Sequence, residues 1–200
     1  WSNLGNVHKM QGRLKDARRA YEHAIDLDPA LADAHYNLAQ VFDLQGDTRK
    51  ATESLRRALL FRPAYGEAHN NLGHLMLKSG KVDEACSHFR QALVFQPQLR
   101  PARFNLVLAL YRLGRTVEAQ SEVDKLLAET PDDPQVLRVQ AAGLAQQGRL
   151  EDAEAVNRRL MAREPDAADL QFNLGEVLLS RQDHEAALSV YRELLGKRGV

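Results

Sequence analysis

The sequence predicts an all-α fold of stacked helical hairpins, because its prolines and glycines recur with one fixed spacing. Five of the seven prolines lie 34 residues apart, at Pro29, Pro63, Pro97, Pro131 and Pro165. Five glycines keep the same step, at Gly12, Gly46, Gly80, Gly114 and Gly148. A fixed period of this length is typical of tandem structural repeats. The 200 residues therefore hold almost six units, and we expect one array rather than separate domains.

The third unit, residues 66–99, shows why each repeat should begin with a helix. His69, Leu72 and Met76 follow an i, i+3, i+7 spacing, which places them on one stripe of a helix. We name this segment helix A. Gly80 comes after it and can adopt the left-handed conformation that ends a helix. The recurring glycines therefore predict where helix A of each repeat ends.

The second half of the unit is expected to form a second helix, helix B, that packs against helix A. The small residues Gly73 and Ala85 should let the two backbones approach closely. The inner face of helix B is expected to hold Ala85, Phe89 and Ala92. Pro97 then keeps Gln96 out of the helical region, which ends helix B.

The first repeat carries the residues on which a family resemblance rests. They are Trp1, Leu4, Gly5, His8, Ala17, Tyr21, Ala24 and Pro29. This pattern and its period resemble the tetratricopeptide repeat (TPR) family, with His8 at a position where the family usually has tyrosine. The resemblance implies a right-handed α-solenoid superhelix of about twelve antiparallel helices. Its six repeats would span approximately 1–31, 32–65, 66–99, 100–133, 134–167 and 168–200.

The later repeats depart from this pattern. In the fourth, Val107 replaces the small glycine of helix A and Val123 replaces the aromatic residue of helix B. The fifth places Gln140 and Asn157 at positions that are apolar in other repeats, so we expect it to be the least stable or the most bent. The last helix carries apolar residues on its outer side, at Leu188, Val190, Tyr191, Leu194 and Leu195. Either they stay exposed, or more chain or a second copy in a homo-oligomer covers them.

No motif in the sequence predicts catalysis, a metal site or a cofactor. His184 and Glu185 lack the second histidine of a zinc-binding H-E-x-x-H sequence. Cys86 is expected to be a small buried hydrophobe rather than a nucleophile. The 27 basic and 27 acidic residues balance, which argues against nucleic acid binding. The sequence shows no apolar run long enough to span a bilayer and identifies no compartment, so the cytoplasm is the default expectation.

In the family that the chain resembles, helix A lines the concave side of the superhelix. An asparagine precedes the helix-A leucine in five repeats, at Asn3, Asn37, Asn71, Asn105 and Asn173. A row of side-chain amides can hydrogen-bond the backbone of an extended peptide without requiring one sequence. The alternative is that these amides bond neighbouring helices of the array. The resemblance thus makes the concave side the expected peptide-binding surface.

Apolar and polar residues complete the expected groove. Unless their side chains pack into the core, an aromatic and apolar patch is formed by Tyr36, Phe104, Leu108 and Tyr111. Further polar contacts are expected from Asn6, His74, Lys78 and Arg112. Chaperone-tail binders of the family clamp a terminal carboxylate with a lysine and an asparagine. Here Ser2 replaces that lysine and only Asn6 remains, so this function is not favoured.

The sequence therefore predicts a protein–protein interaction scaffold that is not itself an enzyme and needs no cofactor. Its partner would be a peptide or protein held in the concave groove, with no nucleic acid and no membrane insertion. One alternative is the substrate-recognition region of a larger enzyme that resembles O-linked N-acetylglucosamine transferases. Another is a self-assembling scaffold in which copies dock on one another through their ends or convex faces.

Overall fold

The computed structural model describes residues 1–165 and 167–197, with Lys197 described by its backbone alone. Across these residues the chain forms twelve α-helices and no strand. They are α1 (Ser2–Met10), α2 (Leu14–Leu27), α3 (Ala32–Leu44), α4 (Thr48–Phe61), α5 (Gly66–Lys78), α6 (Val82–Phe95), α7 (Arg100–Arg112), α8 (Thr116–Glu129), α9 (Pro134–Gln146), α10 (Leu150–Met161), α11 (Ala168–Ser180) and α12 (His184–Lys197). The odd-numbered helices are the A helices of the repeats, and the even-numbered helices are the B helices. The helices and the lack of strands among the described residues confirm the predicted all-α class. None of these twelve is both long and apolar enough to cross a membrane.

The helices end where the recurring glycines and prolines predict. Gly80, after α5, has a φ of 76°, in the left-handed region that glycine adopts without steric cost. Gln96, before Pro97, has an extended conformation with φ −136° and ψ 81°, and α6 ends there. The sixth repeat is different because Gln182 replaces the glycine and still has a φ of 63°. The left-handed turn between the two helices is therefore kept even where the residue has a side chain.

The two helices of the third repeat meet at Gly73 and Phe89, as the sequence predicts. Phe89 is fully buried, and a Cβ atom on Gly73 would lie 2.7 Å from its Cε1 atom. Only glycine therefore fits beneath the ring without a shift of the neighbouring atoms. Around this contact the buried residues are Leu72, Met76, Ala85 and Ala92. Cys86 is buried as well, which confirms its expected place among the hydrophobic residues.

The equivalent crossings of four other repeats fall into two groups. Glycine lies against an aromatic ring in the first and sixth repeats, through the pairs Gly5–Tyr21 and Gly175–Tyr191. The second and fifth repeats have instead Ala39 with Leu55 and Ala141 with Asn157 at the equivalent positions. No aromatic ring occupies the crossing in this second group. Cavities open at both of its members, the second and the fifth repeats.

Contacts between residues divide the chain into two compact units. Unit 1 is Trp1–Ala109 and unit 2 is Leu110–Val200, so the boundary falls within α7. In unit 1, α1 packs on α2, α3 on α4 and α5 on α6, and α2 and α4 also contact the helix A that follows. In unit 2, α9 packs on α10, α10 on α11, and α11 on α12. The single cooperative array expected from the sequence stays a prediction.

The outer side of α12 in unit 2 is partly exposed, as expected. Leu188 and Leu195 are 49% and 57% exposed. Val190, Tyr191 and Leu194 are half-buried, and the first two pack against the core cluster of Leu174, Leu178 and Ala187. The apolar surface on α12 is therefore smaller than the sequence predicts.

Candidate functional site

Hydrogen-bonded side chains link three A helices of unit 1. The Nδ2 atom of Asn71 in α5 donates to the hydroxyl of Tyr36 in α3, at 3.3 Å. Asn70 Nδ2 donates to Asn71 Oδ1 at 3.4 Å, and Asn105 Nδ2 of α7 donates to Asn70 Oδ1 at 3.0 Å. We name these four residues the amide row. All four are half-buried, so the row is ordered by its own hydrogen bonds and still contacts solvent.

Two lysines near the amide row are already engaged by polar groups. Lys9 Nζ of α1 donates to Asn37 Oδ1 at 3.2 Å and to Gln40 Oε1, both in α3. Burial lowers the pKa of Lys9. Lys78 of α5 forms an ion pair with Asp43 of α3, with 2.9 Å between Nζ and Oδ1. The lysine charges are therefore balanced or internally bonded, which leaves a surface suited to a neutral ligand.

Tyr36 is held in place at one end of the amide row. Its ring lies on that of Tyr65, with 4.8 Å between the centroids. The Tyr65 hydroxyl donates to Asp33 Oδ1 at 2.9 Å, and Arg62 donates to both carboxylate oxygens of Asp33 at 2.8 Å. The Arg62 guanidinium lowers the pKa of Asp33, and burial raises the pKa of Tyr36. Tyr36 therefore presents a neutral hydroxyl in a fixed position.

A cavity of about 240 Å³ opens beside the amide row, between α3 and α5. Its lining is Ala39, Gln40, Asp43, Leu44, Leu55, Asn71 and Leu75. Leu55 occupies the position that Phe89 has in the third repeat, and its smaller side chain leaves the space that a ring would fill. The buried leucines Leu55 and Leu75 make the floor apolar, while the amides and Asp43 make the rim polar. A cavity of this kind can accept one apolar side chain.

The equivalent residues His35 and His69 have structural roles in unit 1. Their Nε2 atoms donate to the carbonyls of Pro29 and Pro63, at 2.9 and 3.0 Å. Since His69 donates through Nε2, its neutral ring accepts at Nδ1 a hydrogen bond from His88 Nδ1, 3.3 Å away. Burial lowers the pKa of both His69 and His88. These histidines join the loop before each helix A to the hairpin that follows.

The remaining predicted groove residues of unit 1 have different degrees of exposure. Asn3 is exposed on α1. Asn6 is half-buried and accepts a hydrogen bond from the Tyr21 hydroxyl at 2.7 Å, so it also fixes the core ring of its own repeat. Half-buried positions on α5 and α7 are occupied by His74, Phe104 and Leu108. Of the predicted set, Asn71, Asn105 and Tyr36 are brought together by direct hydrogen bonds or shared partners.

Tyr111 requires a correction, because the sequence places it in the groove and the structure places it in the core of unit 2. It is 6% exposed, and its ring packs against Gly143 of α9, where a Cβ atom would overlap it. The period did not reveal this contact because Gly143 lies outside the repeating glycine positions. Arg112 and Asn173, also in unit 2, are exposed.

Sequence reasoning missed several residues that build the unit 1 surface. Asn70, the central member of the amide row, stands at the position occupied by Tyr36 and Phe104 in neighbouring repeats. The sequence analysis assigned that position to the groove only in repeats where it holds an aromatic ring. Gln40 and Asp43, which line the cavity, carry no regular signal along the chain. Leu55 offered a signal, since a leucine in place of an aromatic residue predicts free volume at the crossing.

Three family models match the chain over most of its length. One described as TPR repeat matches residues 5–46. One described as Tetratricopeptide repeat matches residues 76–143, and another with that description matches 44–101 and 138–199. None of the curated proteins compared with the chain matches it.

Solved structures with similar folds include three repeat proteins. PilW, titled a widely conserved type IV pilus biogenesis factor, has a TM-score of 0.81 and 22% identity, covering 98% of this chain and 90% of its own. PilF of Pseudomonas aeruginosa has a TM-score of 0.76 and 22% identity, covering 96% and 87%. YrrB, titled a TPR protein with an unusual peptide-binding site, has a TM-score of 0.76 and 19% identity, covering 88% and 91%. At these identities the likeness concerns the fold.

Proposed function

The chain belongs to the tetratricopeptide repeat family, and on that premise we propose that unit 1 binds an extended segment of a partner protein on its A helices. The family and the similar solved structures support a protein-interaction scaffold as the general function. The amide row, Tyr36, Asn70, Asn71 and Asn105, is the observation that carries the specific proposal.

The amide row suits a peptide backbone because its own hydrogen bonds use only part of its capacity. Each asparagine amide has two N–H donors and two acceptor sites. Asn105 uses one donor in its bond to Asn70, and Asn71 uses one donor in its bond to Tyr36. These bonds fix the amides in one orientation before a ligand arrives, which lowers the entropy cost of binding. The remaining donors and acceptors can pair with backbone groups of an extended segment.

The cavity between α3 and α5 supplies a contact for one side chain of the same segment. Asn71 belongs both to the amide row and to the cavity rim, so a peptide on the row passes the opening. Leu55 and Leu75 at the floor favour an apolar side chain. Backbone contacts with an apolar anchor give affinity together with modest selectivity. YrrB, a TPR protein of similar fold with an unusual peptide-binding site, supports this class of ligand.

The test is selection of peptides on the intact chain, followed by measurements on variants. A phage-displayed library of random peptides is selected against the wild-type chain, and one selected peptide is labelled for fluorescence anisotropy. Tyr36→Ala and Asn71→Ala should each weaken its binding by about 1–3 kcal/mol, because they break the amide row. Helical content, measured by circular dichroism, should stay the same because both residues are half-buried.

The matched control is Leu60→Ala, which removes an exposed apolar side chain from α4, a B helix of the same unit. It should leave the affinity of the selected peptide unchanged. If selected peptides bind Tyr36→Ala and Asn71→Ala as tightly as the wild type, the amide row is not the binding surface. If Leu60→Ala weakens binding more than either variant, the peptide lies on the B helices instead.

A further inference from the structure

A second cavity, of about 190 Å³, opens on the A helices of unit 2, between α9 and α11. It is lined by Arg138, Ala141, Ala142, Ala145, Leu150, Asn157, Asn173, Glu176, Val177 and Ser180. The cavity exists because the fifth repeat has no ring at its helix crossing. Asn157 occupies the position of Phe89 in the third repeat, and Ala141 the position of Gly73. The space is therefore the counterpart of the unit 1 cavity, but with a polar residue at its base.

The amide of Asn157 is the distinctive feature of this cavity. The residue is 2% exposed, and none of the hydrogen bonds between described residues involves its side chain. An amide that makes no hydrogen bond within the protein keeps its donors and acceptors available to another group. Since Asn157 lines the cavity, a group that enters the cavity can supply the missing partners. The floor of this cavity therefore offers both a donor and an acceptor.

The two charged residues at the cavity, Arg138 and Glu176, are already hydrogen-bonded within unit 2. Arg138 donates to Glu164 at 2.7 Å and to Asp169 at 3.4 Å. Glu176 accepts a hydrogen bond from the Tyr191 hydroxyl at 2.7 Å, and its proximity to this hydroxyl adds to burial in raising the pKa of Tyr191 to about 12. The walls are formed by small alanines such as Ala141 and Ala145. The cavity is thus narrow and polar at its base, and the Glu176 carboxylate lies on its rim.

We propose that this cavity binds the side-chain amide of a glutamine in an extended segment of a partner protein. A primary amide can donate to the Asn157 oxygen and accept from its nitrogen at the same time. An apolar side chain would leave Asn157 without partners, and a lysine ammonium, which only donates, would leave the Asn157 nitrogen without an acceptor. The two methylene groups of glutamine carry its amide past the alanine walls. The inference uses the proposed scaffold function but concerns another unit and other residues.

The experiment uses NMR to measure the binding of three small probes, two neutral and one charged, to the intact chain. The probes are the N-acetyl methylamides of glutamine, leucine and lysine. The glutamine compound should cause saturable shifts in the methyl signals of Ala141 and Ala145 and in the side-chain amide signal of Asn157. The leucine and lysine compounds should bind about tenfold more weakly, because neither pairs with the amide.

Two variants and one control locate the effect. Asn157→Leu should abolish the preference for glutamine and favour the leucine compound, because the floor becomes apolar like that of Leu55 in unit 1. Ala142→Leu adds bulk at an exposed position on the cavity rim and should weaken all probes without disturbing the core. Ala155→Leu makes the same change at an exposed position on α10 that does not line the cavity, and binding should be unchanged.

Three outcomes would overturn the proposal. Tighter binding of the leucine compound to the wild type would make the cavity an apolar recess. Tighter binding of the lysine compound would make Glu176 the recognition group. A lack of saturable shifts with any probe would show that the cavity takes no side chain. None of these results depends on how Tyr36→Ala and Asn71→Ala affect the peptide selected on the intact chain, so failure here is distinguishable from failure of the proposed function.

Discussion

In the hairpin of α5 and α6, Phe89 is fully buried against Gly73 and fills the crossing of the two helices. In the hairpin of α9 and α10, the equivalent residues are Asn157 and Ala141, and a cavity of about 190 Å³ lies at the same place. Both hairpins keep the same helix lengths within two residues and the same left-handed turn. The repeat backbone is therefore independent of this pair, so the two residues can differ between repeats without a change in the hairpin.

The largest effect is expected when the two helix crossings are compared for their contribution to stability. Phe89→Ala should lower the free energy of unfolding by about 3–5 kcal/mol, because it leaves a large cavity under a fully packed ring. Asn157→Ala should change it by less than about 1 kcal/mol, because the amide has no partner to lose. Urea denaturation followed by circular dichroism measures both. Equal losses in the two variants would show that Asn157 packs as tightly as Phe89 does.

The period and the helix ends were predictable because they depend on local chemistry. Proline restricts the residue before it, and glycine permits a positive φ, so Gln96 and Gly80 behave as expected from the sequence alone. The contact of Gly73 with Phe89 was predictable for a related reason, since both residues belong to one hairpin and their spacing fixes which faces meet.

The candidate sites were less predictable because they depend on contacts between repeats. Tyr111 follows the helical pattern of an exposed residue, yet it is buried against Gly143 of the next repeat. Asn70 joins Asn71 to Asn105 across two helices, and neither spacing nor composition reveals that chain. Asn157 was recognisable as a departure from the apolar pattern. The cavity with this amide at its base was not predictable from the hairpin alone, because residues of the neighbouring α11 also line it.

A smaller effect is expected when the crossing of the third repeat is transferred to the fifth. Asn157→Phe alone should lower the free energy of unfolding by about 1–3 kcal/mol, because the added ring meets the methyl group of Ala141. Adding Ala141→Gly removes that methyl group, and the double variant should regain most of the loss. Ala141→Gly alone should cost about 1 kcal/mol through helix propensity. The complete double-mutant cycle, measured by urea denaturation, gives the coupling energy.

A coupling energy near zero in this cycle would show that glycine and the ring are not a matched pair. The third repeat predicts a clearly favourable coupling, since a Cβ atom on Gly73 would lie 2.7 Å from the Phe89 ring. The double variant should also fill the unit 2 cavity and abolish the NMR shifts caused by the glutamine probe. Stability and binding are thereby changed together at one pair of residues.

The smallest expected effect has the opposite sign. Asn157→Leu should raise the free energy of unfolding by about 1 kcal/mol, because an apolar side chain replaces a buried amide without partners. The resulting pair would reproduce Ala39 with Leu55 in the second repeat, which the fold already accommodates. Differential scanning calorimetry measures the change, with Ala155→Leu as the control for added hydrophobic surface. A lower stability would mean that the Asn157 amide is satisfied in the folded chain, whereas a gain shows that this repeat gives up stability for an open polar cavity.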